Sequence, residues 1–174
     1  MRRAPWFLLA LGSLLAACSV TVSVSLPDQT VQIPALGDTA GKVIYPANPQ
    51  GFSPPGSVLK DVQVTGTLEA SQSLTLTLDL YARTLDPAQD NNCLALRDFQ
   101  NVYAYACTLG PEDGHIGEAA FSGSAQATLT LRGEKLTQGV QGGRVWLGAM
   151  AQGLPGGNLT FTFKNLKATV TLGF

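Results

Sequence analysis

The chain is poor in charge. Among its 174 residues, Lys and Arg number 11 and Asp and Glu number 12, so charged residues make up 13%, against roughly 25% in an ordinary soluble domain. A formal charge of −1 excludes nucleic-acid binding through a basic surface, because nothing would displace counterions from a phosphate backbone. Histidine is scarcer still. His115 is the only one, and zinc or copper catalysis normally draws on several His or Cys ligands. Residues 18–174 contain no Gly-x-Ser-x-Gly elbow, and a triad hydrolase needs a nucleophile, a base and an orienting acid together. His115 follows Pro111-Glu-Asp-Gly, a turn-like context that predicts a solvated side chain. No apolar run reaches the roughly 20 residues of a membrane-spanning helix. No segment shows a sustained helical period and no repeat of fixed length is present. The sequence is not short of apolar residues, which make up 45% of it. That content opposes disorder, and the length suits one domain.

The N-terminus is organised for export. Arg2 and Arg3 precede an apolar run over residues 6–15, followed by Ala16, Ala17 and Cys18. A basic start, a short apolar core and small residues before a cut are the layout of a secretory signal. Leu15-Ala16-Ala17-Cys18 resembles the lipobox of bacterial lipoproteins. The resemblance covers residues 1–18 only. It implies removal of residues 1–17, a diacylglyceryl group on the Cys18 thiol and acylation, with palmitate among the chains, of the new N-terminus. A domain of residues 18–174 would then be held at the cell envelope without spanning a bilayer, at the outer membrane or the outer face of the inner one. Two or more acyl chains anchor stably where a single chain holds only marginally.

With Cys18 assigned to lipid, Cys93 and Cys107 remain. An exported chain with two further cysteines predicts a disulfide. Closing a loop of about 15 residues contributes about 3 kcal/mol in the chain-entropy view. The spacing lacks the Cys-x-x-Cys geometry of a redox pair.

Period-two alternation dominates the rest. Strands are expected at 20–26, 58–68, 74–80, 102–109, 125–131, 144–152, 159–163 and 168–174. The cleanest is Leu74-Thr-Leu-Thr-Leu-Asp-Leu80, with Leu on one face and Thr, Thr and Asp on the other. The alternation slips at residues 164–167, which requires a bulge or a turn. Residues 94–100 are expected to form one or two helical turns. The stretch 35–57, rich in Pro and Gly, is expected to be irregular. About eight antiparallel strands separated by Gly, Pro and Asp turns predict an all-β fold, a single antiparallel β-sandwich of jelly-roll or immunoglobulin-like type, with a small β-barrel as the alternative. The final strand ends on Phe174 and resembles the closing strand of an outer-membrane barrel, so an eight-stranded membrane barrel is kept as an alternative function.

Candidate sites are few. Tyr103 and Tyr105 share a strand face, and Trp146 is the one Trp beyond the signal. Exposed together they would make a shelf for a glycan or small ligand; otherwise they belong to the core or its rim. Asp86, Asp90, Asn91 and Asn92 make an oxygen-rich loop, with Glu112 and Asp113 making another. Of these, Asp86, Asp90 and Asn92 are weak calcium candidates, since such turns are usually only hydrated. No cofactor is implied. With no catalytic motif in residues 18–174, the lipobox resemblance implies a non-catalytic envelope lipoprotein that contacts the membrane through acylated Cys18 and is expected to bind another envelope component, protein or glycan. Cells grown with labelled palmitate are expected to tag the wild type and not Cys18→Ser; equal labelling of both would refute the lipid assignment.

Overall fold

A computed structural model describes residues 20–34, 39–49, 51–54, 56, 58–150, 152–155 and 157–172. The lipobox with Cys18 and the terminal Phe174 lie outside these residues. Strand makes up 62% and helix 9%, so the fold is all-β as expected.

The elements run β1 (Val20–Ser25), β2 (Gln29–Ile33), β3 (Val43–Pro46), β4 (Leu59–Arg83), a 3-10 turn (Pro87–Gln89), β5 (Cys93–Asp98), β6 (Asn101–Cys107), β7 (Gly114–Arg132), α1 (Glu134–Gly142), β8 (Trp146–Met150) and β9 (Leu159–Leu172). All pairings are antiparallel and join nine strands into one curled sheet, a half-barrel, in the order β1-β9-β4-β8-β3-β6-β5, with β2 on β9 and β7 on β4.

The curl comes from the β4–β7 ribbon. β4 pairs with β9 through its first half and with β8 at its end, while β7 follows it almost throughout. Register shifts interrupt the ladder between Glu69 and Leu74, where Ser71, Gln72 and Ser73 are exposed. Bulges bend and twist a strand and let it pass from one layer to the next. The ribbon turns back far enough that Gly117 and Gly133 lie against Thr130 and His115 at the opposite ends of β7. One bent ribbon thus supplies both walls of the core.

That core is the inner face of the curl. Val62, Val64, Leu68, Leu78 and Leu80 of β4 meet Leu129 and Leu131 of β7 and Phe161 and Phe163 of β9, with Phe121 and Phe161 in ring contact. A second, smaller cluster covers the outer face at one end, formed by Val43, Tyr45, Tyr81, Cys107 and Trp146. Residues alternate between the two: Ile44 inward and Tyr45 outward, Ala106 inward and Cys107 outward, Leu147 inward and Trp146 outward. The Tyr45 ring lies over Gly148, where a Cβ would come within 2.6 Å of it, so β8 needs glycine at that position.

The expected strands appear, with corrections: β2 lies where no strand was expected, and β7 begins at Gly114 rather than at 125. Residues 58–68 and 74–80 belong to one strand, because the polar Ser71-Gln-Ser73 is the outside of a bend rather than a turn. The helical turns expected at 94–100 are instead β5 and its turn to β6; pairing with β6 decided what a short apolar run leaves ambiguous. Inside the stretch expected to be irregular lies β3, all four residues buried. Helix α1 carries Leu136 and Val140 at helical spacing and seats Gly139 against Val145. Its glycines are poor helix formers and mask the period. The slip at 164–167 is a bulge: β9 continues, Asn165 takes φ 54° and the register shifts between Thr65 and Thr67.

Gln29 fastens the curl. Buried at 3% exposure, its side-chain amide donates to the Val145 carbonyl at 3.0 Å and accepts from the Leu147 amide at 3.2 Å. It serves β8 as a neighbouring strand would. Gln29→Leu is expected to cost about 2–4 kcal/mol, since two buried backbone groups lose their partner; urea unfolding measures it, and an unchanged midpoint would refute the fastening role.

Candidate functional site

A cavity of about 560 Å³ opens where the end of β2, the β5–β6 hairpin and the start of β9 converge. Ile33 and Leu159, both members of the inner core, form its apolar wall. Gln32, Arg97, Asp98, Asn101, Tyr103 and Asn158 contribute to the polar lining. The volume falls within the roughly 300–1,000 Å³ of small-molecule sites. Amide, guanidinium and phenol groups beside one aromatic ring suit a hydroxyl-rich ligand with limited apolar surface. Phe99 stands on the hairpin turn between the lining residues Asp98 and Asn101, at φ 52° and 96% exposed. A bulky residue with positive φ is unusual, and a ring so far into solvent gains nothing from the fold.

Of the two readings of these rings, the shelf does not form. Trp146 is 1% exposed, with Arg144 stacked over it at 4.8 Å. Tyr105 is half-buried against the outer cluster. Only Tyr103 faces the cavity.

The two oxygen-rich loops fold onto a buried cation. Arg83, fully buried, donates to Asp90 at 2.5 Å and to Sγ of Cys93 and Cys107 at 2.8 and 3.0 Å. Its Nε lies 3.8 Å from Asp113, and its guanidinium sits 5.3 Å from the Tyr45 ring centre. Tyr45 donates to Asp113 at 2.7 Å, and Asp113 also accepts from the Gly110 amide at 2.9 Å. The Cys93–Cys107 disulfide joins directly opposed residues of β5 and β6, as the cysteine count predicts. Of the calcium candidates, Asp90 is committed to Arg83 and to the Asn92 amide, and Asp86 caps the 3-10 turn through the Ala88 amide. Asp90 and Asp113 cover Arg83, and Asp86 holds the neighbouring turn, so the carboxylates do not form an open oxygen cage.

The turn-like sequence context predicts a solvated His115. The structure places it in β7, half-exposed, with Nε2 3.5 Å from Asp79, its ring edge-on to Tyr81, and Glu118 within reach of both. The grouping joins residues from two strands across a bulge, and only the pairing register reveals it.

Burial, reinforced by Asp113, pushes the Tyr45 phenol well up, and burial raises Tyr81 in the same sense. The Asn92 amide, followed by Arg83, holds the Asp90 carboxyl below its usual value. A depressed carboxyl contributes stability that is present above its unfolded value, about 3.9, and lost as pH falls through its folded value. A raised phenol contributes stability that is present below about pH 10 and lost above it. A plateau between these limits is therefore expected, with Asp90→Asn flattening the acid limb and Tyr45→Phe the alkaline one; urea midpoints across pH check it, and limbs unchanged in both variants would contradict it.

Compared with known proteins, the chain matches no family model, no curated protein and no solved structure.

Proposed function

We propose that the protein is a lipid-anchored, non-catalytic binding module of the cell envelope, which takes a glycan segment of another envelope component into the cavity beside Tyr103. The observation that carries this reading is the position of the cavity at the start of β9, whose far end pairs with the start of β1. Cys18 stands just ahead of β1, and Val20 of β1 pairs with Leu172 at the end of β9. The cavity uses Asn158, Leu159 and Thr160 at the beginning of β9. The fourteen residues of β9, at about 3.3 Å each, separate the two by about 40 Å along the strand. A lipid at Cys18 would hold the domain at the membrane with its cavity at the far end, and confinement to that surface would raise its effective concentration toward neighbours.

The lining fits that ligand class. Saccharides offer hydroxyls to amides and guanidinium groups and a shallow apolar face to a single ring. Phe99 favours a second reading, contact with a protein, because an exposed aromatic at a hairpin tip is the type of residue that anchors interfaces.

Co-sedimentation of the detergent-solubilised protein with insoluble envelope glycan tests the first reading. Wild type is expected to be retained, Tyr103→Ala and Arg97→Ala to lose about tenfold or more in retention, and Phe99→Ala to behave as wild type. Loss with Phe99→Ala alone would move the glycan contact to the hairpin tip and overturn the cavity as its site. Retention of every variant, or of none including wild type, would overturn the glycan reading.

A further inference from the structure

We propose that Asp79, His115 and Glu118 form a surface site for a divalent first-row transition-metal ion, with zinc as the representative ion. Their ligand atoms all lie within 4.8 Å of one another. Three features of the β4–β7 ladder converge on this.

The first is an unfavourable charge arrangement. Asp79 and Glu118 are direct cross-strand partners, and like charges placed opposite each other destabilise a sheet. Among the described residues Glu118 makes no ion pair, and the nearby Lys135 is engaged by Glu112 at 3.3 Å. Among the described residues, the ion-pair partner of Asp79 is the His115 imidazole. A divalent cation would relieve the opposition directly.

The second is a bulge that gathers the donors. Residues three apart on a regular strand point to opposite faces. Between Leu80↔Gly117 and Tyr81↔His115 the register slips by one residue, with Gly117 at φ 144°. His115 and Glu118 are consequently both exposed while Ile116 and Ala119 are both buried. Bulges re-aim side chains in this way beside functional sites. Tyr81, packed edge-on with ring centres 5.4 Å apart, fixes the imidazole.

The third is donor chemistry. One imidazole nitrogen and two carboxylates match the mixed N/O set taken by zinc and its neighbours. Calcium asks for six to eight oxygens and takes imidazole poorly. Around zinc, with bonds of about 2.0–2.1 Å, donors stand about 3.3 Å apart. His115 and Asp79 are already at 3.5 Å, so closure needs only a rotamer change of the exposed Glu118. Three protein donors leave room for water or for a group from a partner. This site is independent of the distal cavity.

The full, detergent-solubilised protein can be titrated with zinc chloride and followed by calorimetry and by the imidazole resonances of His115, the single histidine of the chain. Binding near one to one is expected, with those resonances shifting. His115→Asn and Glu118→Gln are each expected to weaken it about tenfold or more, while without metal Glu118→Gln melts no lower than wild type, because it removes one of the two opposed charges. Asp79→Asn serves as a third variant should either of the others melt early. Unmoved imidazole signals at millimolar zinc, or variants that bind as wild type, would overturn the site. Calcium binding as tightly as zinc would overturn the assigned ion class.

Discussion

A guanidinium with no access to water governs one whole end of this molecule. Taking such a cation out of water costs several kcal/mol unless good geometry and counter-charges offset it. Arg83 ends the longest strand, and its neighbours are what that cost demands: Asp90 from the segment after β4, Asp113 from the segment after β6, the Tyr45 ring and the sulfurs of the disulfide. The two polar loops fold back over the sheet because their carboxylates are the counter-charges. Covering that outer face in turn buries β3 and β8 on both sides. The disulfide then holds β5 to β6 at the same end, so the ion cluster and the crosslink support each other.

The other organising constraint is the bend in the β4–β7 ribbon. A flat ribbon of this length would expose one apolar face. By turning at the bulged segment near Ser71–Ser73, the ribbon encloses its own Leu side chains, and β9 and α1 complete the enclosure. The same architecture gives the molecule two ends. Chain entry through β1 and the end of β9 lie at one; the cavity between β2, the β5–β6 hairpin and the start of β9 lies at the other. For a domain proposed to hang from a lipid, that polarity places a binding surface where neighbours in the envelope can reach it.

Legibility followed solvent exposure. Strands with one wet face, such as Leu74–Leu80 and the start of β9, announce themselves by alternation. Strand β3 and much of β8 do not, because both faces are buried and both parities are apolar. Helix α1 is hidden by its glycines, of which Gly139 is required by packing against Val145. The aromatic shelf is absent for a related reason: Trp146 reads as a flat ring in sequence, yet its position on β8 makes it part of the buried second cluster. His115 read as a turn residue because Gly and Pro precede it, whereas β7 begins at once after them.

Sequence alone determined the all-β class, the antiparallel alternation, the Cys93–Cys107 bridge and the slip in the last strand, because each depends on local period or on counting. It also carries the lipobox resemblance, a linear signal that needs no fold. Tertiary structure alone decided that the layers are one bent sheet, that Asp90 and Asp113 serve Arg83, that Tyr103 faces a cavity while Trp146 does not, and that Asp79, His115 and Glu118 meet. Those facts depend on strand register and on which faces become covered, and both are settled by long-range pairing that no short window of residues contains.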